Sequence, residues 1–249
     1  MQTPAAVIFD CDGVLVDSEI LAIEVEIVLL AECGLVYAPD EYRHRFLGLN
    51  DAAFREALAQ DSLERNGRPL PEDFLHRAHT QRWDACQARL TEVAGCGAAL
   101  AALTLPKAVA SSSGAAFLRE KLRLTGLLSA FNPHIYSADL VARAKPHPDI
   151  FLHAAVALGV APDQCLAIED SVNGVLSARA AGMMVWGFAG GGHMDAAASA
   201  RLLEAGAGRV VRDWGDAQAL FAAFSRPSLS SRTARRDDPG LRLNPITGG

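Results

Sequence analysis

The chain has little positive charge, no long apolar run and no paired cysteines. Its 249 residues carry 23 basic and 29 acidic side chains, a net charge of −6, so the surface lacks the positive field that attracts nucleic acid. No run of about 18 apolar residues occurs, and no basic-then-apolar leader opens the chain, which argues against a membrane span and a signal peptide. We therefore expect neither nucleic acid nor a membrane as a partner.

Cysteine use is sparse as well. The chain has five cysteines and no CxxC pair: Cys11, Cys33, Cys86, Cys96 and Cys165. An odd, widely spaced set argues against a disulfide framework or a zinc cluster and is typical of a reducing cytoplasm. Since half of the residues are hydrophobic, the chain can bury a sizeable core. We expect a cytoplasmic, globular monomer.

After residue 95 the sequence alternates between apolar strands and helices. Predicted strands, with one more near the start of the chain, are 7–10, 108–111, 135–137, 166–169, 185–188 and 209–211. Predicted helices between them are 115–122, 148–158, 172–181 and 196–204. Such alternation predicts the α/β class, with a parallel sheet covered by helices on both faces.

Between residues 18 and 90 the pattern is helical instead. Asn50 can cap one helix of this stretch, and Pro71 suits the first turn of another. Because the stretch interrupts the sheet pattern directly after its first strand, we expect an inserted helical domain, residues 17–90. Residues 1–16 and 91–224 then form the core. The remainder, 225–249, is rich in Pro, Ser, Arg and Gly, so an extended or disordered tail is expected.

Polar residues stand where the predicted strands end. In an open parallel sheet, ligands bind in the crevice outside these carboxyl ends. The strand-end residues are Asp10 with Asp12 and Gly13, the run Ser111, Ser112, Ser113 and Gly114, Lys145, and Glu169 with Asp170. Each alone has an ordinary explanation as a turn or helix-cap residue, but together they predict one site.

These residue types suit chemistry at phosphorus. A carboxylate such as Asp10 is a competent nucleophile toward phosphorus, and Asp12 can donate and accept the protons that the reaction moves. Asp10 and Asp170 are hard oxygen ligands of the kind that Mg²⁺ prefers. Lys145 and Ser111 can neutralise and hydrogen-bond the phosphoryl oxygens.

Four segments resemble the motifs of the haloacid dehalogenase superfamily. They are residues 9–19 (FDCDGVLVDSE), Ser111, Lys145 with Pro146, and residues 168–171 (IEDS) with Asn173 and Gly174. The helical insert after the first motif resembles the subgroup that contains β-phosphoglucomutase and many phosphosugar phosphatases. The resemblance covers roughly residues 5–222.

The resemblance implies a Rossmann-like core, an all-α cap, bound Mg²⁺ and an aspartyl-phosphate intermediate. Carried over to this chain, Asp10 is the nucleophile and a metal ligand. Asp12 is the acid and base and binds the metal through its backbone carbonyl. Asp170 is a further ligand, and Glu169 binds the metal directly or through a neighbouring ligand. Lys145 belongs to the catalytic set.

Three branches of the superfamily can be separated by residue. Asp12 argues against a dehalogenase, because a halide leaving group needs no acid. No lysine precedes Lys107, so the insert cannot supply the Schiff-base lysine of phosphonoacetaldehyde hydrolases. Mutases hold a second phosphate with a cap arginine and a Lys-Asn pair, where this chain has Asp51, Gly114 and Ala115. We therefore expect a phosphatase of a small phosphorylated sugar or sugar acid, with a phosphosugar mutase as the alternative.

The sequence leaves the roles of some residues open. Ser111, Ser112 and Glu19 are expected to contact the substrate, Glu19 through a sugar hydroxyl. The loop of Gly190, Gly191, Gly192 and His193 either reaches the rim of the site or is a plain connection, and the basic residues 43–45 either meet the substrate or form a solvated helix face. A phosphoacceptor or binding protein without turnover remains the non-enzyme alternative.

Overall fold

A computed structural model describes residues 3–46, 49 and 51–224, and in these ranges one six-stranded parallel sheet forms the centre of the fold. Its strands are β1 (Ala6–Phe9), β2 (Lys107–Ser111), β3 (Ile135–Ser137), β4 (Cys165–Glu169), β5 (Met184–Phe188) and β6 (Arg209–Val211). Every bound lies within one residue of the predicted strand. The expected α/β class with a Rossmann-like sheet is confirmed.

Helices account for most of the remaining described residues. They are α1 (Ser18–Glu32), α2 (Pro39–Phe46), α3 (Asp51–Asn66), α4 (Phe74–Arg89), α5 (Cys96–Ala102), α6 (Ala115–Leu124), α7 (Leu128–Phe131), α8 (Asp149–Leu158), α9 (Val172–Ala180), α10 (Ala198–Glu204) and α11 (Trp214–Phe224). The four predicted core helices correspond to α6, α8, α9 and α10. Helices α5, α7 and α11 were not predicted.

The predicted start of one helix needs correction, and the predicted cap of another lies outside the described residues. Helix α4 begins at Phe74 and not at Pro71, with Asp73 in the capping position. Helix α11 escaped prediction, although its buried residues Trp214, Ala217 and Phe221 follow the spacing of three and four that marks one face of a helix. Asn50 and the tail 225–249 lie outside the described residues.

The sheet is buried on both faces. Alternate residues of β1 point to opposite sides, so Val7 and Phe9 join one apolar cluster while Ala6 and Ile8 join another. Parallel sheets are covered by helices on both faces in this way because each crossover connection lays a helix on one side or the other. The strands are therefore held rigidly, and so are the residues that follow them.

The strand order β3-β2-β1-β4-β5-β6 places a topological switch point between β1 and β4. From β1 the chain proceeds outward through β2 and β3 on one side, and from β4 through β5 and β6 on the other. Connections leave the two central strands in opposite directions, which opens a crevice at their carboxyl ends. The register pairs Phe9 with Ile168, so the residues after β1 and β4 meet at this crevice.

Helices α1 to α4 follow β1 and pack around an apolar cluster of their own, which includes Leu29, Leu35, Leu58 and Phe74. The two chain segments that join them to the sheet run side by side. The N–H of Val93 donates to the Leu15 carbonyl at 2.9 Å, and the N–H of Asp17 donates to the carbonyl of Thr91 at 3.1 Å. Within the described ranges, no helix combines the length and apolar character that a bilayer crossing requires.

Candidate active site

Three carboxylates meet where β1 and β4 end. Asp10, Glu169 and Asp170 each offer an oxygen atom, and these atoms all lie within 4.8 Å of one another. Asp10 is 7% exposed and Glu169 is fully buried. Such crowding follows from the pairing of β1 with β4, because both strands end at the same edge of the sheet.

Lys145 reaches this cluster from the loop between β3 and α8. Its Nζ lies 2.5 Å from Asp10 Oδ1 and 2.6 Å from Glu169 Oε1, and it also donates to the Ala110 carbonyl at 2.9 Å. The ammonium thus has three oxygen acceptors in a dry environment, where charge-assisted hydrogen bonds are strong. Lys145 holds the Asp10 side chain in one orientation.

One lysine does not balance the negative charge of the cluster. Burial, and then the negative charges of Glu169, Asp170 and Asp12, raise the pKa of Asp10 well above its usual value despite Lys145. The pKa of Glu169 is raised by burial and by Asp170. Burial alone would lower the pKa of Lys145, but Asp10 and Glu169 outweigh it and raise that pKa.

The cluster fits a divalent cation. Carboxylates in this number resist ionising together unless positive charge lies among them, and the donor atoms are the hard oxygens that Mg²⁺ accepts. Asp10, Glu169 and Asp170 form a group of acidic residues compatible with metal binding.

Asp12 lies beside the cluster and has a separate set of partners. Its Oδ1 accepts a hydrogen bond from Ser18 Oγ and lies 2.5 Å from Lys121 Nζ, and its Oδ2 accepts one from Ser113 Oγ at 2.7 Å. Burial would raise the pKa of Asp12, but Lys121 and the hydrogen bonds outweigh it and lower that pKa. Asp12 is therefore ionised in the free protein.

The three serines at the end of β2 and after it differ in their surroundings. Ser111 is 1% exposed, and its Oγ accepts the N–H of Ser113 at 3.0 Å, so it fixes the turn of this loop. Ser112 and Ser113 line the cavity next to Asp10 and Asp12. The predicted contacts of Ser111 and Ser112 with the substrate stay predictions.

The glycine-rich loop reaches the site. His193 is 4% exposed, and its Nε2 lies 3.2 Å from Asp170 Oδ2. Burial would lower the pKa of His193, but Asp170 outweighs it and raises that pKa. At Gly13, which has φ +75°, a Cβ atom would lie 2.0 Å from Asp170 Oδ2 and 2.6 Å from His193 Cε1. A glycine is therefore needed both for the turn and for the close approach of this pair.

Glu19 lies at the start of α1 and lines the cavity together with Asp10, Asp12, Lys145 and Asp170. Burial and the negative charge of Asp12 raise its pKa from 4.5 to about 7. A carboxyl in this state can accept or donate a hydrogen bond near neutral pH. This position agrees with the predicted contact to a hydroxyl group, which stays a prediction.

The carboxylates open into a cavity of about 830 Å³ between the sheet edge and helices α1 and α4. Helix α4 contributes His79, Arg82, Trp83 and Cys86 to its wall. The Trp83 ring packs edge-on against Phe117 of α6, with ring centroids 4.7 Å apart. The helical segment therefore covers the crevice and contacts the far wall.

Phe117 and Lys121 of α6 line the cavity but were missed by sequence reasoning. They lie four and eight residues after Ser113, which belongs to the predicted serine run and also lines the cavity, so the three share one helix face. This spacing was a usable signal. Lys121 is also one of only three lysines in a chain with twenty arginines.

The cavity also contains more positive charge than positions 51, 114 and 115 suggest. Lys121, Arg82 and Arg201 line it, with Arg82 paired to Glu26 at 2.9 Å and Arg201 to Asp195 at 3.0 Å. The absence of cations at 114 and 115 therefore does not leave the cavity without them. The basic run 43–45 is not part of the lining; within it, Arg43 pairs with Asp40 and Arg45 with Asp61.

Comparison with known proteins supports the resemblance. The family model for haloacid dehalogenase-like hydrolases matches residues 4–182. Among characterised sequences, the chain is 32% identical over 196 residues to the 6-phosphogluconate phosphatase of Escherichia coli (strain K12), covering 78% of this chain and 86% of the relative.

Solved structures show the same architecture. The haloacid dehalogenase-like protein ATU0790 of Agrobacterium tumefaciens superposes with a TM-score of 0.82 at 41% identity, covering 89% of this chain and 99% of that one. A HAD family hydrolase from Deinococcus radiodurans, solved with bound phosphate and sodium, gives 0.77 at 35% identity, covering 90% and 97%.

Proposed function

This chain belongs to the haloacid dehalogenase-like hydrolases, and we propose that it is a Mg²⁺-dependent phosphatase of a small phosphorylated sugar or sugar acid. The observation that carries the proposal is the pair Asp10 and Asp12 at the floor of one covered cavity, with Asp10 held by Lys145. Hydrolysis through an aspartyl-phosphate intermediate requires two carboxylates, one that attacks phosphorus and one that transfers protons.

In the first step, a carboxylate oxygen of Asp10 attacks phosphorus and the bond to the ester oxygen breaks, which leaves an acyl phosphate on Asp10. Protonated Asp12 gives its proton to the departing oxygen, so the alcohol leaves as a neutral hydroxyl compound. Asp12 takes up this proton from solvent beforehand. The negative charge of the incoming phosphate favours the uptake, because a like charge raises the pKa of a carboxyl group.

In the second step, water attacks the phosphorus of the acyl phosphate. Asp12, now ionised, accepts the proton of the water as the new bond forms. The bond between phosphorus and the Asp10 oxygen breaks, which frees the Asp10 carboxylate and inorganic phosphate. Asp12 then releases this proton to solvent, so the free protein regains its ionised Asp12 and the Asp10 carboxylate.

The oxygen-rich cluster supports Mg²⁺ as the cofactor. We assign the carboxylates of Asp10 and Asp170 and the backbone carbonyl of Asp12 as its ligands, with Glu169 binding directly or through a neighbouring ligand. When bound, Mg²⁺ would offset the negative charge of the phosphoryl oxygens and of the carboxylates around them. Lys145 would offset the same charge and keeps Asp10 aligned.

The helical segment supports the role of a cap. We propose residues 17–90 as a cap domain on a core of residues 1–16 and 91–224, hinged where the segments near Leu15 and Val93 run side by side. Closure would exclude bulk water and bring cap side chains onto the substrate. Slower hydrogen exchange of α4 in the presence of a phosphate-mimicking fluoride complex is expected; unchanged exchange there would contradict the hinge.

The substrate class is supported by the cavity and by a relative. Glu19 supplies an acceptor for a hydroxyl group, Ser112 and Ser111 are proposed contacts for the phosphate, and the cavity admits a small metabolite. A relative that is 32% identical is named as a 6-phosphogluconate phosphatase. A phosphate-release screen across sugar phosphates, sugar-acid phosphates and nucleotides identifies the substrate, and preferred release from nucleotides would overturn the class.

The nucleophile and the metal are tested separately. Asp10→Asn should lose essentially all phosphate release while its melting curve shows a folded protein, since an amide cannot form the acyl phosphate; retained turnover would refute the mechanism. A chelator should abolish the activity of the wild type and Mg²⁺ should restore it. Activity that persists in the chelator would refute the cofactor.

A phosphosugar mutase is the second candidate, favoured by Lys121, Arg82 and Arg201 in the cavity lining. A mutase must retain a bisphosphate while it turns around, which requires positive charge for the second phosphate. We expect hydrolysis, because Arg82 and Arg201 are already paired with Glu26 and Asp195. Phosphorus NMR with β-glucose 1-phosphate and catalytic bisphosphate decides: glucose 6-phosphate formed faster than inorganic phosphate would establish the mutase.

A further inference from the structure

Both carboxylate oxygens of Asp12 are held by hydrogen-bond donors from other segments. Lys121 Nζ lies 2.5 Å from Oδ1, and Ser113 Oγ lies 2.7 Å from Oδ2. Lys121 also donates to Ser113 Oγ at 3.0 Å. The three groups form a closed ring of contacts, so Asp12 is held from the turn before α6 and from the second turn of that helix.

Lys121 reaches this ring along the wall of the cavity. Its side chain is 13% exposed and that of Asp12 is 19% exposed, so the ion pair is largely withdrawn from water. Helix α6 begins directly after Gly114, and Leu118 and Leu122 anchor its other face in the core. Because the helix is fixed by this packing, Lys121 is a rigid support for Asp12.

We propose that Lys121, together with Ser113, is a positioning residue that holds the Asp12 carboxyl in line with the leaving oxygen. The inference rests on the proposed function, in which Asp12 donates a proton to that oxygen. Lys121 acts through Asp12 and does not itself exchange a proton with the substrate. Displacing a catalytic group by about 1 Å can cost on the order of 100-fold in rate.

The choice of leaving group distinguishes a positioning role of Lys121 from a purely structural one. An alkyl alkoxide is strongly basic and needs a proton as it departs, whereas 4-nitrophenolate leaves readily without one. The value of kcat/KM reports the steps up to the first irreversible one, here the departure of the alcohol. A defect in the positioning of Asp12 therefore lowers kcat/KM for an alkyl phosphate and spares that for 4-nitrophenyl phosphate.

The experiment measures kcat/KM of the full chain with Mg²⁺ for glycerol 2-phosphate, glucose 6-phosphate and 4-nitrophenyl phosphate. Lys121→Met should lose about 10- to 100-fold on both alkyl phosphates and stay within about threefold on the aryl phosphate, as its chemistry needs little acid. Ser113→Ala should show the same pattern more weakly. Lys107→Met is the matched control at the start of β2 and should change neither value.

Lys121→Arg keeps the charge and should recover part of the alkyl activity. Should Lys121→Met fail to fold, as judged by its melting curve, Ser113→Ala and Lys121→Arg carry the same comparison. Equal losses on alkyl and aryl phosphates would overturn the inference. A higher KM for glucose 6-phosphate with glycerol 2-phosphate unaffected would also overturn it, because Lys121 would then bind the sugar.

Asp12→Asn separates the inference from the proposed function. If the wild type releases no phosphate from any of the three compounds, the proposed function fails and the inference falls with it. If Asp12→Asn selectively loses the alkyl phosphates and neither Lys121→Met nor Ser113→Ala does, only the inference is overturned. Selective loss in all three variants supports both.

Discussion

Replacing Gly174 by alanine tests whether the buried carboxylate of Glu169 depends on a missing side chain. Gly174 is the third residue of α9, and its N–H donates to Ser171 Oγ at 3.0 Å. A Cβ atom at this position would lie 1.8 Å from Glu169 Cδ and 2.0 Å or less from both carboxylate oxygens. The two groups cannot occupy the same space, so the Glu169 side chain has to move.

The cost follows from the contacts that Glu169 would lose. It is fully buried, and it accepts from Lys145 Nζ at 2.6 Å and from Ser171 Oγ at 3.0 Å. Breaking a buried ion pair costs about 3–5 kcal/mol, whereas alanine in a helix is favoured over glycine by up to about 1 kcal/mol. We therefore expect Gly174→Ala to lower the free energy of unfolding by about 2–4 kcal/mol.

Urea unfolding in the presence of a chelator measures this loss without a contribution from metal. For slopes of about 1–3 kcal/mol per molar urea, the midpoint should fall by about 0.7 M or more. Gly215→Ala is the matched control: Gly215 is an exposed helical glycine whose Cβ would meet Asp213 Oδ1 at 3.1 Å. Its midpoint should stay near that of the wild type, since surface substitutions usually change stability by about 0.5 kcal/mol or less.

The result that refutes this reasoning is a Gly174→Ala variant as stable as Gly215→Ala. That outcome would mean that Glu169 can leave Lys145 without loss, and the close contact at Gly174 would then have no structural importance. The slope of the transition has to be unchanged for the midpoints to be compared directly.

Two further changes bear on the same region. Burial raises the pKa of Glu19 from its usual 4.5 to about 7 in the folded protein. Between these two values the folded state binds more protons than the unfolded state, so the contribution of Glu19 to the free energy of unfolding falls as the pH rises. Glu19→Gln should thus gain on the order of 1 kcal/mol over the wild type between pH 5 and 8 in chelator; a difference that does not vary with pH would contradict this. Trp214 Nε1 donates to the buried Val14 carbonyl at 3.0 Å, and Trp214→Phe should cost about 1–3 kcal/mol in urea unfolding by leaving that acceptor unpaired, whereas an unchanged midpoint would show the bond to be dispensable.

The sequence alone determined the sheet and the residues at its edge. The strands were predictable because a central parallel strand is apolar on both faces, as in β1 and β4, and Gly13 marks a turn that begins where an apolar run stops. Residues that follow such strands share one edge in any parallel sheet. The sequence alone therefore places Asp10, Glu169 and Asp170 together.

Only the tertiary structure decided which side chains complete the site. Lys121 lies 109 residues from Asp12 in the chain. Its spacing from Ser113 and Phe117 places the three on one helix face but does not show what that face meets. Lys121 reaches Asp12 because β2 pairs with β1. This pairing places α6, which follows β2, beside the turn of residues 10–13 that follows β1. His193 meets Asp170 because β5 pairs with β4.

Local sequence patterns could not predict the residues of the cavity wall either, because tertiary packing brings them there. Trp83 and Arg82 belong to a helix whose apolar spacing predicts burial in the helical segment, not contact with the crevice. Their position depends on how that segment folds back over the sheet, through contacts such as Trp83 with Phe117. Strand patterns report local burial, whereas the order of strands and the docking of helices come from the packing of the whole chain.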